Sequence, residues 1–296
     1  MNTVTPPFHA ANTEFAYQLH YHLGFRTRRC VPVFRDARRA EVLRAAVSDI
    51  GQRKHYHILE MDVDDCWARL LLSLRPGHAP AKVVQTIKAN ASRAVFEAFL
   101  EVESEMGQRS LWSRGYYVRS GGDVTDEVVL AYVASQRQHH EEDRKDSRLL
   151  AKYGHPHPEQ FFDLRPFAHC VAEYNCHLVC CPLRHVPAVD AAIAEEFVSY
   201  VLRVAVAKSF DVISLAVLED HVHLFAALRP DQSPDYLAFA VLNNTSHWIG
   251  QRNPGAMELW NAPGFWTPSA FVRTAGAVTT NVVRAHLQVK DVVPDG

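Results

Sequence analysis

Glu219-Asp220-His221-Val222-His223-Leu224 is the stretch on which the reading of this chain turns. An apolar run from Val212 precedes it and Leu224-Phe225-Ala226 follows, so it reads as part of a β-strand. Residues two apart on a strand face the same way. His221 and His223 can therefore offer two imidazoles to one metal ion while Val222 packs inward. The pattern alone is weak. With 17 His in 296 residues, about one His-x-His is expected by chance. Three others occur: His20-Tyr21-His22, His55-Tyr56-His57 and His155-Pro156-His157. The place of His221 and His223 in an internal repeat sets them apart.

Working outward, the same pattern of segments occurs twice. Tyr21-His22-Leu23 matches Cys176-His177-Leu178, Leu74-Arg75-Pro76 matches Leu228-Arg229-Pro230, and Leu111-Trp112-Ser113 matches Phe265-Trp266-Thr267. Val128-Val129 matches Val282-Val283, and from Arg75 onward the offset is a constant 154 residues. In the first copy, the alternation over Phe15–Phe25 predicts a strand, followed by a basic loop at Arg26–Arg29. Helical spacing predicts helices over Ala37–Gly51, Pro80–Leu100 and Val124–Gln138, the last with Thr125 as N-cap. Between them lie two strands over His55–Leu72 with an acidic turn at Asp62–Asp65, and a strand near Leu111–Val118. Short strands interleaved with helices predict an α+β unit, an antiparallel sheet with helices on one face. The expected domains are residues 15–138 and 166–292. A charged, Pro-punctuated linker at 139–165 joins them, helical in its first part. The chain reads as a fused dimer of one fold.

Composition bounds the rest. Two domains of ordinary size fit the length, and 48% apolar residues suffice for buried cores. No apolar run reaches membrane-spanning length, and Met1–Phe15 lacks a signal-peptide profile, which favours the cytoplasm. Six scattered Cys without a Cys-x-x-Cys pair are expected to be buried thiols. The net charge of −2 does not suggest nucleic acid. Residues 1–140, however, hold 18 Lys and Arg against 15 Asp and Glu, and the remainder 13 against 18. A local phosphate-binding surface on the first half fits this distribution.

Each repeat is a control for the other. Opposite His221-Val222-His223 the first repeat carries Trp67-Ala68-Arg69, which cannot bind a metal. Opposite Tyr132 and Gln136, in the last helix of the first repeat, the second carries His286 and Lys290. Each copy lacks what the other keeps.

Taken in order, Glu219-Asp220-His221-Val222-His223-Leu224-Phe225, the two Trp segments and the helix Val128-Val129-Leu130-Ala131-Tyr132-Val133-Ala134-Ser135-Gln136 carry a resemblance. The chain resembles the single-tyrosine HUH transposases of bacterial insertion sequences that move as single-stranded DNA, and their domesticated repeat-associated relatives. The resemblance runs through nearly all of both repeats. It implies two tandem ferredoxin-like HUH domains forming an intrachain pseudo-dimer. In that family the C-terminal helix of one subunit can cross to complete the His-x-His pocket of its partner. Such an exchange here would bring the helix of Tyr132 and Gln136 to His221 and His223, giving one composite site. Trp67-Ala68-Arg69 with His286 and Lys290 would form the other, inactive pocket.

The roles implied are Tyr132 as nucleophile and His221, His223 and Gln136 as metal ligands. Tyr132 and Gln136 stand at i and i+4, one turn apart on one helix face. Two imidazole nitrogens and one amide oxygen, with open positions, suit Mg2+ or Mn2+. Tyr132 would attack a phosphodiester to give a 5′-phosphotyrosine and a free 3′-hydroxyl, a step that a 3′-hydroxyl can reverse. Tyr116 and Tyr117 are the fallback nucleophiles. The partner implied is single-stranded or hairpin DNA. Arg26, Arg28 and Arg29 on the first loop and Lys82, Lys88 and Arg93 on the Pro80–Leu100 helix are the candidate phosphate contacts, and Trp112 or Trp266 could stack on an unpaired base. The plainer reading makes the charges surface residues and both Trp core residues. Two rival functions stay open: a catalytically silent DNA-hairpin-binding regulator derived from a transposase, and a metal-binding fold with no nucleic-acid partner.

Overall fold

The extended runs on either side of Leu19 and Tyr174 do not stay in one sheet, and this crossing ties the two repeats together. The structure, a computed structural model, describes residues 8–134, 147–183, 189, 191–252, 265–277, 279–281 and 283. The first repeat contains β1 (Glu14–Gln18), β2 (His20–Thr27), α1 (Ala37–Lys54), β3 (His57–Val63), β4 (Trp67–Ser73), α2 (Pro80–Ala98), the short α3 (Glu101–Met106), β5 (Trp112–Gly121) and α4 (Asp126–Ala134). β6 (Leu149–Gly154) and β7 (Arg165–Phe167) follow. The second repeat contains β8 (Cys170–Glu173), β9 (Asn175–Pro182), α5 (Ala194–Lys208), β10 (Asp211–Leu218), β11 (Val222–Ala227), α6 (Pro234–Arg252) and β12 (Trp266–Ala275).

Two sheets result, ordered β3-β4-β2-β5-β8-β7 and β1-β12-β9-β11-β10-β6. Leaving aside β1 and β8, the first strand of each repeat (β2 or β9) sits between its third and fourth, so the four central strands have the ferredoxin-like order in both copies. Their ladders are antiparallel. Parallel pairing enters where one repeat lends a strand to the other: β1 joins β12, and β8 joins β5. β1 and β2 thus lie in different sheets with only Leu19 between them, and β8 and β9 with only Tyr174 between them. Both hinge residues are fully buried. Residues 149–154, within the segment read as a linker, form an edge strand on β10.

In the first repeat the helices form where the periodicity predicts, the last described over Asp126–Ala134; residues 135–146, with the expected helical start of the linker, lie outside the described residues. Asp36 Oδ1 caps α1 by accepting from the Arg38 amide at 2.9 Å, and the helix ends where His55 turns left-handed, with φ of 58°. α2 opens on Pro80, whose fixed φ suits a first turn, and buries Val83, Val84, Ile87, Ala91, Val95 and Phe96 on one stripe. α5 and α6 cover the other sheet with Phe197, Val201, Leu237 and Val241. Each such side chain contributes roughly 1.5–3 kcal/mol of burial.

α4 packs elsewhere. Val129 and Val133, a turn apart, are buried against Ile213, Ala216, Leu218 and Phe225 of β10 and β11. The last described helix of the first repeat therefore rests on the sheet of the second. The reverse holds too, for Val283 is buried against Leu71 of β4. At the crossing the contacts are mirrored at the repeat offset. Asp126 N donates to Gly276 O at 3.1 Å and Thr280 N to Gly122 O at 2.8 Å. A Cβ on Gly122 would strike the Thr274 carbonyl, and one on Gly276 the Ser120 carbonyl, so the two chain segments approach as only glycine allows. The intrachain pseudo-dimer and its α+β fold thus follow from backbone pairing as well as from the repeat.

Two expectations change. Cys30 and Cys66 form a disulfide, Cα to Cα 5.3 Å, between the loop after β2 and the β3–β4 turn. Sequence spacing across 36 residues gives no sign of such a pair. Cys176 and Cys180 are buried thiols as expected, and Cys170 and Cys181 are half-buried thiols. Trp112 and Trp266 both lie in the core, their indole N–H groups donating to Lys88 O at 3.0 Å and Thr245 Oγ1 at 2.8 Å. Neither presents a ring for a base to stack on, so the plainer reading of both holds. No described helix is long and apolar enough to cross a membrane.

Candidate active site

The β10–β11 hairpin closes with Leu218 N donating to His221 O, and β11 begins at Val222. Val222 turns into the core at 2% exposure, which puts His221 and His223 together on the opposite face. Their rings stand 4.7 Å apart between centroids and nearly perpendicular. His221 Nδ1 lies 2.6 Å from Asp220 Oδ1. Partial burial raises the Asp220 carboxyl, but hydrogen bonds from Ser147 and His221 outweigh this and hold it below its ordinary value.

His223 is buried, and its Nδ1 lies 3.0 Å from Nε2 of His177 on β9. The two rings stack 5.2 Å apart. Burial, with the charge of Arg273 added, pushes His177 down to about 3, so it is neutral at physiological pH. Both members of the His-x-His pair thus have Nδ1 engaged by a protein group, the second-layer support that orients metal-binding imidazoles through Nε2. That donor set fits a cation. Among the described residues no three His, Cys, Asp or Glu converge as a metal cluster. The expected third ligand, Gln136, lies outside the described residues.

Tyr132 comes from α4. Its ring is 5.5 Å from that of His223 and 6.3 Å from that of His177, edge-on to both, and the side chain stays partly exposed at 38%. A phenol from the first repeat therefore meets the His223 and His177 rings of the second. Its helix is set by the Val129 and Val133 anchors, which lie on the neighbouring stripe. Arg273 on β12 stands directly across from His177 in the ladder and completes this side of the site.

The equivalent position on the other sheet is filled differently. Arg69, in the place of His223, binds the buried Asp62 at 2.6 Å, and Tyr117 Oη lies 2.8 Å from Nε2 of His22, the counterpart of His177. An ion pair and a phenol from the sheet itself stand where the second repeat carries its imidazoles. Tyr116 and Tyr117 are strand residues, both pushed above the ordinary phenol range chiefly by burial. His286 and Lys290 lie outside the described residues.

The basic candidates sit on the first repeat, away from Tyr132. Arg26 is exposed beside Trp67, 5.8 Å from the ring centre, and Arg28 and Arg29 lie exposed on the following 3-10 turn. Lys82 and Lys88 line a groove of about 590 Å3 with Arg114 and with His169 and Asp231 of the second repeat. Lys88 is half-buried, donates to Ser113 O at 2.6 Å, and is pushed down to about 8 by burial. Arg93 is exposed on α2 and bonds Asn90 at 3.2 Å.

Sequence reading did not single out His177 or Arg273 as functional. His22 and Arg119 occupy the same places in the repeat that lost its His-x-His, so the comparison of repeats marks neither residue.

At the base of α4 lie two buried carboxyls, Asp126 and Glu173, both fully shielded from solvent. Burial, reinforced by Glu173, pushes Asp126 up to about 8. The folded state then holds a proton that the unfolded chain releases near its ordinary value of about 4. Stability is therefore full below that value and falls as pH rises toward 8. Asp126→Asn should flatten this fall and raise stability at pH 8 by roughly 1–3 kcal/mol, measured as urea midpoints between pH 5 and 9.

Comparison with known proteins places the chain in a family. No curated protein matches the chain. A crystal structure of a candidate transposase from Deinococcus radiodurans R1 matches at 25% identity over 43% of this chain and 91% of that chain, with a TM-score of 0.34. The family profile described as "Transposase IS200 like" matches residues 15–136 and again residues 170–290. Those two segments leave little of the sequence uncovered, and the chain belongs to the IS200-like transposase family, carrying the family's unit twice in tandem.

Proposed function

We propose that this chain is a metal-dependent endonuclease and strand transferase for single-stranded or hairpin DNA, working through one composite site. The observation that carries the reading is the approach of Tyr132, on a helix from the first repeat, to within 5.5 Å of the His223 ring on the second. Membership of a transposase family supports DNA as the substrate. The filling of the equivalent place on the other sheet by Arg69 and Asp62 supports one site rather than two.

In this reading His221, His223 and Gln136 hold Mg2+ or Mn2+. When bound, the ion supplies Lewis-acid polarisation of the scissile phosphate. Asp220 and His177 fix the two imidazole rings. Tyr132 Oη attacks phosphorus, the new Oη–P bond forms as the P–O3′ bond breaks, the phenolic proton passes to water, and the departing 3′ oxygen takes up a proton. The product is a 5′-phosphotyrosine and a 3′-hydroxyl, and attack by another 3′-hydroxyl releases the tyrosine and joins the strands. Arg26, Arg28, Arg29, Lys82, Lys88 and Arg93 bind backbone phosphates outside the reacting centre.

Incubating the protein with single-stranded and hairpin oligonucleotides and Mn2+ tests this. A denaturant-resistant protein–DNA adduct is expected. Salt-dependent binding without any adduct would replace the enzyme with a hairpin-binding regulator.

A further inference from the structure

The two repeats keep one arginine at the same place and surround it differently. Arg119 on β5 and Arg273 on β12 stand at the repeat offset of 154 residues. Each lies across from a histidine in the ladder: Arg119 from His22, Arg273 from His177. On its other side each faces the strand lent by the other repeat. There Arg119 meets Glu173, and Arg273 meets Gln18. Paired residues on neighbouring strands share a face. The arginine therefore has a carboxylate neighbour on the sheet that lost its His-x-His and a neutral amide neighbour on the sheet that kept it.

The consequence is visible in the contacts. Arg119 Nε lies 3.4 Å from Oε2 of the buried Glu173. Among the described residues Arg273 forms no ion pair, and its Nε is buried without a hydrogen-bond acceptor. Burial holds the Arg273 guanidinium below its ordinary value, and Asp123 is the carboxylate whose charge offsets part of this. Asp123 is exposed and bonded to the Gln18 amide at 2.5 Å, beyond ion-pair reach of Arg273. A half-buried guanidinium with five donors and no ion-pair partner among the described residues is costly unless an anion reaches it. Its place across the ladder from His177, whose ring stands 6.3 Å from that of Tyr132, defines where that anion would be.

We propose that Arg273 binds a phosphodiester of the DNA in the composite site, and that Gln18 leaves its charge available, whereas Glu173 cancels the charge of Arg119. This rests on the function proposed above for the identity of the anion. A guanidinium there would hold the non-bridging oxygens against Tyr132 and stabilise the charge gathering on them during transfer.

Two measurements decide it. The first uses the Tyr132→Phe chain, which binds without reacting, and a short single-stranded oligonucleotide. Adding Arg273→Gln should weaken binding and lower the slope of log affinity against log salt by about 0.7, the value of one released counter-ion on a single strand. Arg273→Lys should keep the slope, because it keeps the charge. The second follows single-turnover adduct formation at saturating DNA. Arg273→Gln should slow it by about 10²–10³-fold, the range for one lost transition-state donor. Gln18→Glu, which copies the surroundings of Arg119, should slow it at least about tenfold and have no further effect once Arg273 is Gln. An unchanged salt slope in Arg273→Gln overturns this inference, even if the adduct forms. A lowered slope, together with no adduct from the chain that keeps Tyr132, upholds phosphate binding by Arg273 and overturns the enzymatic reading instead.

Discussion

Tyr132→Phe is expected to eliminate the covalent protein–DNA adduct, by at least about 10⁴-fold, while leaving oligonucleotide affinity within about twofold. The substitution removes one oxygen and nothing else. Tyr132 is partly exposed, its ring stands against His223 and His177, and its helix is anchored by Val129 and Val133. Phe therefore keeps the ring contacts and the docking of α4, and the fold should melt where the unsubstituted chain does. The other candidate phenols are poorly placed to substitute. Tyr117 is tied to His22 on the other sheet, and Tyr116 is half-buried and raised above the usual phenol range. Peptide mapping of the adduct by mass spectrometry should find DNA on Tyr132. Undiminished adduct in Tyr132→Phe would remove this nucleophile from the account.

The second large effect is expected at the imidazole pair. His221→Ala together with His223→Ala should lower adduct formation by roughly 10²-fold or more, since a metal's stabilisation of a reacting phosphate is worth several kcal/mol. Chelation of divalent ions should do the same to the unsubstituted chain, reversibly on adding Mn2+. The double variant should not recover at any Mn2+ concentration. Mn2+ binding followed by electron paramagnetic resonance, without DNA, separates loss of the ion from loss of a base. His223 is buried at 4% and bonded to His177, so its truncation opens a small polar cavity. His221 is more open, and His221→Ala alone serves where the double variant folds poorly. Retention of tight Mn2+ binding in the double variant would show that the pair is not the ligand set.

Much of this architecture is legible in the sequence because it is written twice. The repeat gives the element order and separates His221 and His223 from three other His-x-His triplets. It also pairs the loss at Trp67-Ala68-Arg69 with the loss at His286 and Lys290. The approach of Tyr132 to His223 follows once the last helix is allowed to cross. The exchange of β1 and β8 between sheets is not legible, because the only sign is one buried residue, Leu19 or Tyr174, within an otherwise continuous extended run. Alternation along a strand reports which face a side chain takes, not which sheet the strand joins. The indole rings show a related limit. Trp112 and Trp266 recur at the repeat offset, and recurrence cannot tell a stacking platform from a core residue whose N–H is satisfied internally. His177 and Arg273 escape notice because both repeats keep them; only the neighbours Gln18 and Glu173, brought across by strand exchange, distinguish the two arginines.

Mixing two crippled chains asks most directly whether the phenol of the first repeat works with the imidazoles of the second in the same molecule. One chain carries Tyr132→Phe, the other His221→Ala with His223→Ala, and the unsubstituted protein under the same conditions sets the full rate. An intrachain site leaves every molecule in the mixture defective, so adduct should stay at the level of the separate variants. Adduct appearing on the His-substituted chain, at a substantial fraction of the full rate, would mean that Tyr132 serves the histidines of another molecule and would contradict the account.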